Sequence, residues 1–298
     1  MLAGLRSKAP RGHGGSGRAQ TIQELRDGME DLRDWAQFRG IHFTSDFDDK
    51  NIEHTREIID HMVSSELINR HDEGPEMVYA LADDQHAIAS YYRNTIVHHF
   101  VTKSIAELAL LRSATTSGDK DPVEEFWFEA DRLRDEFKFE FFYSPTEEFH
   151  REMEEELNNF DPEWKTKLKH DASWANTFLA SFKPLVAHAS LRPYIEAYRV
   201  VADVFARLDA SESLDKKASM NASFKYARQA YLQRRIHSKA SIGQILFNNG
   251  YQLMDSYGLV EGGGPEVAEQ RRRISRRFRV LAHRLERIRA LSLPNELD

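Results

Sequence analysis

Signals that start helices recur along this chain, and they constrain its fold more than any other feature. Thr21 stands three residues before Glu24, Asp121-Pro122 stands before Glu124, and Ser144-Pro145 before Glu147. In each case a side-chain oxygen is placed to accept from the unpaired N–H groups of a first turn. Proline at the first helical position gives up no hydrogen bond. Asp161-Pro162 repeats the pattern. Between these starts, apolar residues return with a period of about 3.6. Tyr194, Tyr198, Val201, Phe205 and Leu208 form one such series, and Ile242, Ile245, Leu246 and Leu253 another. Gly258 is placed to end a helix, and Gly262-Gly263-Gly264-Pro265 is a loop that opens a last one. The pattern predicts a mostly all-α protein.

One short region departs from it. After a predicted helix over Asn51–Ser65 come Leu67-Ile68-Asn69-Arg70, the turn Asp72-Glu73-Gly74-Pro75, and Met77-Val78-Tyr79-Ala80-Leu81. Two short runs around a Gly-Pro turn predict a β-hairpin. Helices followed by a hairpin resemble a winged helix. The chain is therefore read as a flexible linker (1–18), a winged-helix-like module (19–83) and a helical body (84–298), that is, a helical bundle preceded by a small module with one β-hairpin. The glycines from Gly12 to Gly17 match neither phosphate-loop fingerprint, since no Lys-Ser/Thr follows and no strand precedes.

Composition removes whole classes of function. The 298 residues include no cysteine, which excludes disulfides, thiolate catalysis and Cys-ligated metal clusters and fits a reducing cytoplasm. The formal net charge is −7, and the presumed wing, His71 to Glu76, is acidic, so phosphate would repel it. No nucleic-acid partner is expected. The most apolar stretch, Ile96–Leu111, is interrupted by His98, His99, Lys103 and Glu107. It is also shorter than the ~20 apolar residues a membrane span needs. The first 18 residues hold no apolar core of a signal peptide. Membrane contact is expected to be peripheral.

Several constellations have a chemical and a structural reading. In Tyr91-Tyr92-Arg93-Asn94-Thr95-Ile96-Val97-His98-His99-Phe100, one continuous helix would put Val97, Phe100, Val101, Ile105, Leu108 and Leu111 on an apolar stripe. Asn94, Thr95, His98, His99, Thr102 and Lys103 would then share the polar side. Adjacent histidines point about 100° apart on a helix, so His98 and His99 cannot chelate one ion. Glu147-x-x-His150 has the spacing of di-iron bundles, but such sites need the motif twice. It occurs once, inside the run Glu147–Glu156, which reads as a solvated acidic face. No metal and no cofactor is expected. Asp83-Asp84-Gln85-His86 reads as a helix N-terminus. Phe137–Tyr143 is too dense in aromatics for one helix face to bury, so some rings should point outward. The final segment carries nine arginines from Arg271 to Arg289, interleaved with Ile274, Phe278, Leu281, Leu285 and Ile288. Either it meets anionic lipid headgroups, or its arginines pair with the acidic stretch Asp119–Glu163.

Six strings resemble the actinobacterial branch of the membrane-bound glycerol-3-phosphate acyltransferases. They are Asp72–Tyr79, Asp84-Gln85-His86 with Tyr91–His98, Ile105–Ala109, Lys138–Phe142, Arg192–Asp203 and Gln233–Ser238, in order and at similar spacing. The resemblance runs from about Thr21 to Leu291. It implies that the chain matches the C-terminal, non-catalytic half of such an enzyme. In the family a His-x4-Asp dyad in a preceding domain deprotonates the sn-1 hydroxyl of glycerol 3-phosphate, which attacks an acyl-CoA or acyl carrier protein thioester. None of the thirteen histidines here has Asp five positions on. The nearest misses are His54 with Asp60 and His42 with Asp46 or Asp48, and no Phe-Pro-Glu-Gly occurs. The chain is therefore expected to begin about where a catalytic domain ends and to be inactive alone. Its family-motif positions, Tyr91, Tyr92, Arg93, Asn94, His98, Arg192, Arg199, Arg234 and Arg235, are expected to serve structure or domain docking. The expected partner is an acyltransferase domain, with an anionic membrane surface met through Arg271–Arg289 at the inner face of the cell membrane. Two other readings remain: a stand-alone interaction or regulatory module, and a helical metalloenzyme.

Overall fold

The computed structural model describes residues 19–42, 52–82 and 85–292. Residues 1–18, read above as a linker, lie outside the described residues, as do Asp46, Asp48, Asp83 and Asp84. The described chain is mostly helical with one two-stranded antiparallel hairpin, and it divides into two compact units at Ile96/Val97.

The first unit contains α1 (Ile22–Phe38), α2 (Ile52–Ser64), β1 (Ile68–His71), β2 (Val78–Leu81) and α3 (His86–Ile96). α1 opens on the capping box expected at Thr21, whose hydroxyl accepts from Glu24 N while the Glu24 carboxylate accepts from Thr21 N. α2 ends with Glu66 in the left-handed region (φ 57°), and Leu67 N donates back to Met62 O. That turn sends the chain into β1, which pairs with β2 in the register Ile68↔Leu81 to His71↔Val78. Gln20 adds an isolated bridge to Tyr79. Leu25, Ile59, Ile68 and Tyr79 form the small core.

The second unit is built from α4 (Val101–Ser113), α5 (Pro122–Glu136), α6 (Thr146–Phe160), α7 (Trp164–His170), α8 (Trp174–Ser181), α9 (Ala187–Ser190), α10 (Arg192–Phe205), α11 (Lys216–Leu232), α12 (Gln244–Ser256) and α13 (Pro265–Ser292). α10 is the central helix. All but two of its residues are buried, and it packs on α9, α11, α12 and α13. Gly250 lets α12 come close: a Cβ there would lie 3.0 Å from Val201 Cγ2. Each large apolar side chain buried here contributes about 1.5–3 kcal/mol relative to exposure.

Four expectations need correction. A four-residue 3-10 turn, Val97–Phe100, separates α3 from α4, so the predicted stripe does not run along one helix. Lys103, assigned to a polar face, is buried in α4, 3.5 Å from Glu156 and over the Phe182 ring. Glu156 in turn is buried, so the run Glu147–Glu156 is not wholly a solvated face. A helix packed on nearly every side has no polar face to offer, and its charges must find partners inside. Ser144 and Asp161 do not cap helices as predicted. The Ser144 hydroxyl donates to Glu152, and Asp161 closes α6 while accepting from Glu163 N. By contrast, Asp121 caps α5, and Gly258 (φ 68°) follows α12 with Leu259 N donating to Met254 O. In Phe137–Tyr143, Phe137 is fully buried and Phe141 packs edge-on against Tyr194, while the Phe142 ring alone is fully exposed, at 108%.

Candidate functional site

The charged residues of the second unit fall into two groups, one around α10 and one between α5 and α13. On α10, Glu196 lies on a buried face one turn after Arg192. Its carboxylate accepts from His237 N (3.0 Å), Ser238 N (3.0 Å) and the Ser241 hydroxyl (2.8 Å), with Arg192 Nη1 at 3.6 Å. Burial would raise its pKa, but bonds from His237, Arg192, Ser238 and Ser241 outweigh that and hold it below the ordinary value. Two turns on, Asp203 accepts from the Ser275 hydroxyl (2.6 Å), the Tyr226 hydroxyl (2.8 Å) and Arg279 (2.9 and 3.0 Å). Two carboxylates on one helix thus tie α11, the loop after it and α13 to the centre.

Two further carboxyls are less well served. Glu107 on α4 accepts from Val186 N (2.8 Å) and Ala187 N (2.9 Å), yet burial pushes its pKa up to about 7. Glu140 is raised to about 7 as well, by burial that Tyr198 and Asn249 beside it offset only in part.

The second group begins with α5, whose buried stripe Phe126, Glu129, Ala130, Leu133 and Glu136 carries two acids at helical spacing. α13 opposes them with Arg277 and Arg284. Arg277 donates to Glu129 (2.6 Å) and to both oxygens of Glu136 (2.9–3.2 Å), and Arg284 also donates to Glu129. Burial alone would lower the Arg277 pKa, but Glu136 and Glu129 outweigh it and raise it. For these two arginines the structure realises internal pairing with the acidic stretch. Arg271, fully buried, instead donates to the carbonyls of Leu259, Asp209, Glu212 and Glu261.

The family-motif positions do not converge on one site. Tyr91, Tyr92, Arg93 and Asn94 lie in the later turns of α3. Tyr91 and Tyr92 are exposed and edge-to-face at 5.7 Å, and Arg93 donates to Asn94. His98, exposed in the 3-10 turn, lies 3.9 Å from the His99 ring. Arg192 bonds Glu286 on α13 and the His188 carbonyl. Arg199 donates to the Arg235 carbonyl (2.7 Å). Arg234 occupies the left-handed turn after α11 (φ 55°), and Arg235 N reaches back to Ala230 O (2.8 Å). The motif strings on α10 and after α11 therefore meet each other, through Glu196 and Arg199. His54 sits beside Glu57 (3.8 Å) and Asp60 beside Arg70 (3.9 Å). Among the described residues no group of three His, Asp or Glu could hold a metal ion. Nor is any of their helices long and apolar enough to cross a membrane.

Sequence reading missed Glu129, Glu136 and Phe128. A signal was present, since Glu129 and Glu136 interrupt an apolar stripe at a seven-residue interval. Position alone did not name their partners.

A family model for the glycerol-3-phosphate acyltransferase C-terminal region matches residues 14–263. The chain is 30% identical over 281 residues to proteins named as acyltransferase plsB1 from Mycobacterium tuberculosis and Mycobacterium bovis. The match covers 93% of this chain and 45% of each relative, so the chain spans less than half their length. With that match over most of its residues, the chain belongs to the family defined by the C-terminal region of glycerol-3-phosphate acyltransferases.

Proposed function

We propose that this chain is the accessory C-terminal region of a glycerol-3-phosphate 1-O-acyltransferase, acting with an acyltransferase domain that carries His-x4-Asp. That domain would pass an acyl group from acyl-CoA or an acyl carrier protein to the sn-1 hydroxyl of glycerol 3-phosphate, in phospholipid synthesis. The observation that carries the reading is the family match over residues 14–263 in a sequence with no His-x4-Asp. The geometry supports it, because Glu196 and Asp203 are buried and bonded to neighbouring elements rather than open to substrate. The family-motif residues Tyr91 to Asn94, and the exposed Phe142 ring, are the proposal's contacts for the acyltransferase domain. The proposal puts the chain at the inner face of the cell membrane, with exposed arginines of α13 toward anionic headgroups.

The test is acylation of glycerol 3-phosphate by the full chain, alone and with a separately expressed acyltransferase domain. Alone, it should give no product above a protein-free control, since a missing general base removes about 10²–10⁴-fold. Together, the two should co-purify and the domain's activity should rise. Product from the chain alone would overturn the accessory role. Indifference to the domain would leave a stand-alone module as the better account.

A further inference from the structure

The cleft between α5 and α13 has a composition that internal packing does not require. Its volume is about 230 Å³, and six arginines line it, Arg112, Arg132, Arg273, Arg276, Arg277 and Arg284, against one carboxylate, Glu129. Arg277 and Arg284 are explained by Glu129 and Glu136, as described above. The others are only partly engaged. Arg132 uses Nε alone, on Glu136 (3.1 Å). Arg112 uses Nε and Nη2, on Glu125, and Arg276 uses Nη2, on Glu269. Arg273 is exposed and has no hydrogen bond or ion pair among the described residues. Each guanidinium holds five N–H donors, so the cleft keeps donors that these carboxylates leave unused among the described residues. Two apolar side chains complete its wall and are partly left in water: Phe128 is 61% exposed and Val280 47%.

Like charges drawn from three helices into one concavity repel each other, and this occurs in a protein of net charge −7. A basic face spread along one helix would not line a concavity, whereas these arginines come from α4, α5 and α13. Planar guanidinium forks match phosphate oxygens in pairs, and a dianionic phosphate can accept from several at once. A carboxylate has only two oxygens for that purpose.

We propose that this cleft binds a phosphomonoester carrying an apolar chain. The phosphate is held by Arg132, Arg273 and Arg276, and the chain lies on Phe128 and Val280. The ligand can come from a membrane, as the headgroup of a phosphatidate-type lipid, or from solution, as a soluble phosphomonoester. The lipid source rests on the peripheral-membrane reading above, whereas the soluble source does not.

The full chain is titrated with dihexanoyl phosphatidate below its micelle concentration and with inorganic phosphate. It is then mixed with phosphatidylcholine vesicles doped with phosphatidate or, at matched surface charge, with phosphatidylglycerol, a diester. Variants are Arg273→Glu and Phe128→Ser in the cleft, with Arg287→Glu, which contacts Asn176 on α8, as the control. Circular dichroism and melting confirm that each is folded. Arg273→Glu should weaken dihexanoyl phosphatidate about tenfold, the effect of losing one charge-assisted contact, and Arg287→Glu should not. Phe128→Ser should weaken phosphatidate while sparing inorganic phosphate. Preference for phosphatidate vesicles over phosphatidylglycerol supports the lipid source, and soluble binding without vesicle binding supports the soluble one. Vesicle binding that follows charge alone, and falls equally in Arg273→Glu and Arg287→Glu, overturns the cleft but leaves the peripheral-membrane reading standing. Absence of binding to every probe also overturns it.

Discussion

Around α10, charges meet and are satisfied; between α5 and α13, Arg277 and Arg284 are paired with Glu129 and Glu136 while the rim arginines keep unused donors. Asp203 has a hydroxyl or guanidinium on each oxygen, and Glu196 likewise has donors on both. The rim of the cleft holds Arg273 with no partner among the described residues and Arg132 with one donor in use. A buried carboxylate that is fully bonded ties elements together and leaves little capacity for a ligand. The exposed rim of the cleft, with its unused donors, contributes little to stability and keeps its chemistry available. The difference separates residues that hold this fold from residues that can recognise something outside it.

The largest effect expected from breaking that contrast is at Asp203. Asp203→Ala strands Tyr226, Ser275 and Arg279 at once and should cost about 3–5 kcal/mol, read from urea unfolding. A loss under 1 kcal/mol, on the same scale as a surface change, would break the comparison.

Glu140 sharpens it, being a buried carboxyl whose partners do not fully offset burial. Its pKa is raised from 4.5 to about 7. Between those values the folded state holds more protons than the unfolded one, so stability falls as pH rises through that window. Glu140→Gln should therefore be more stable than the parent at pH 8, by up to about 3 kcal/mol in urea unfolding, and equally stable at pH 4. The slope should shrink rather than vanish, because Glu107 is raised to about 7 as well. A larger difference at pH 4 than at pH 8 would reverse the assignment.

Two helix ends give a smaller test. Gly258 and Arg234 take the same left-handed turn, at φ 68° and 55°. Only glycine enters that region without steric cost, about 1–2 kcal/mol for other residues. Gly258→Ala should lower stability by about 1 kcal/mol and Arg234→Gly should raise it by roughly 0.5–1 kcal/mol. If Arg234→Gly also weakens association with an acyltransferase domain, the strain is retained for docking.

The smallest expected effect is on the far side of the comparison. Arg273→Ala should change stability by no more than about 0.5 kcal/mol, since none of the described residues bonds to that exposed side chain. A cooperative loss of several kcal/mol on thermal melting would put Arg273 with the α10 residues instead.

Much of the fold was legible because its determinants are local. The Thr21–Glu24 capping box, the Asp121-Pro122 start, the Gly258 stop and the loop before Pro265 act within one turn of chain, so neighbouring residues suffice to reveal them. The hairpin was legible for the same reason, its two strands being joined by a short turn around Gly74-Pro75. Lys103 and Glu156 were misread because periodicity assigns a face from the helix itself, while burial depends on what packs against it. Internal pairing of α13 arginines with the acidic stretch was one of two readings open in the sequence, which did not say which arginine met which acid. Arg277 and Glu129 stand 148 residues apart, and Arg279 and Asp203 76 apart. Helices, hairpin, family and the lack of a His-x4-Asp dyad could be read from the residues alone, since each is a property of order along the chain. Which charges are paired and which are left open came from the packing of the helices, because Coulomb and hydrogen-bond energies depend on distance in space, which sequence separation does not give.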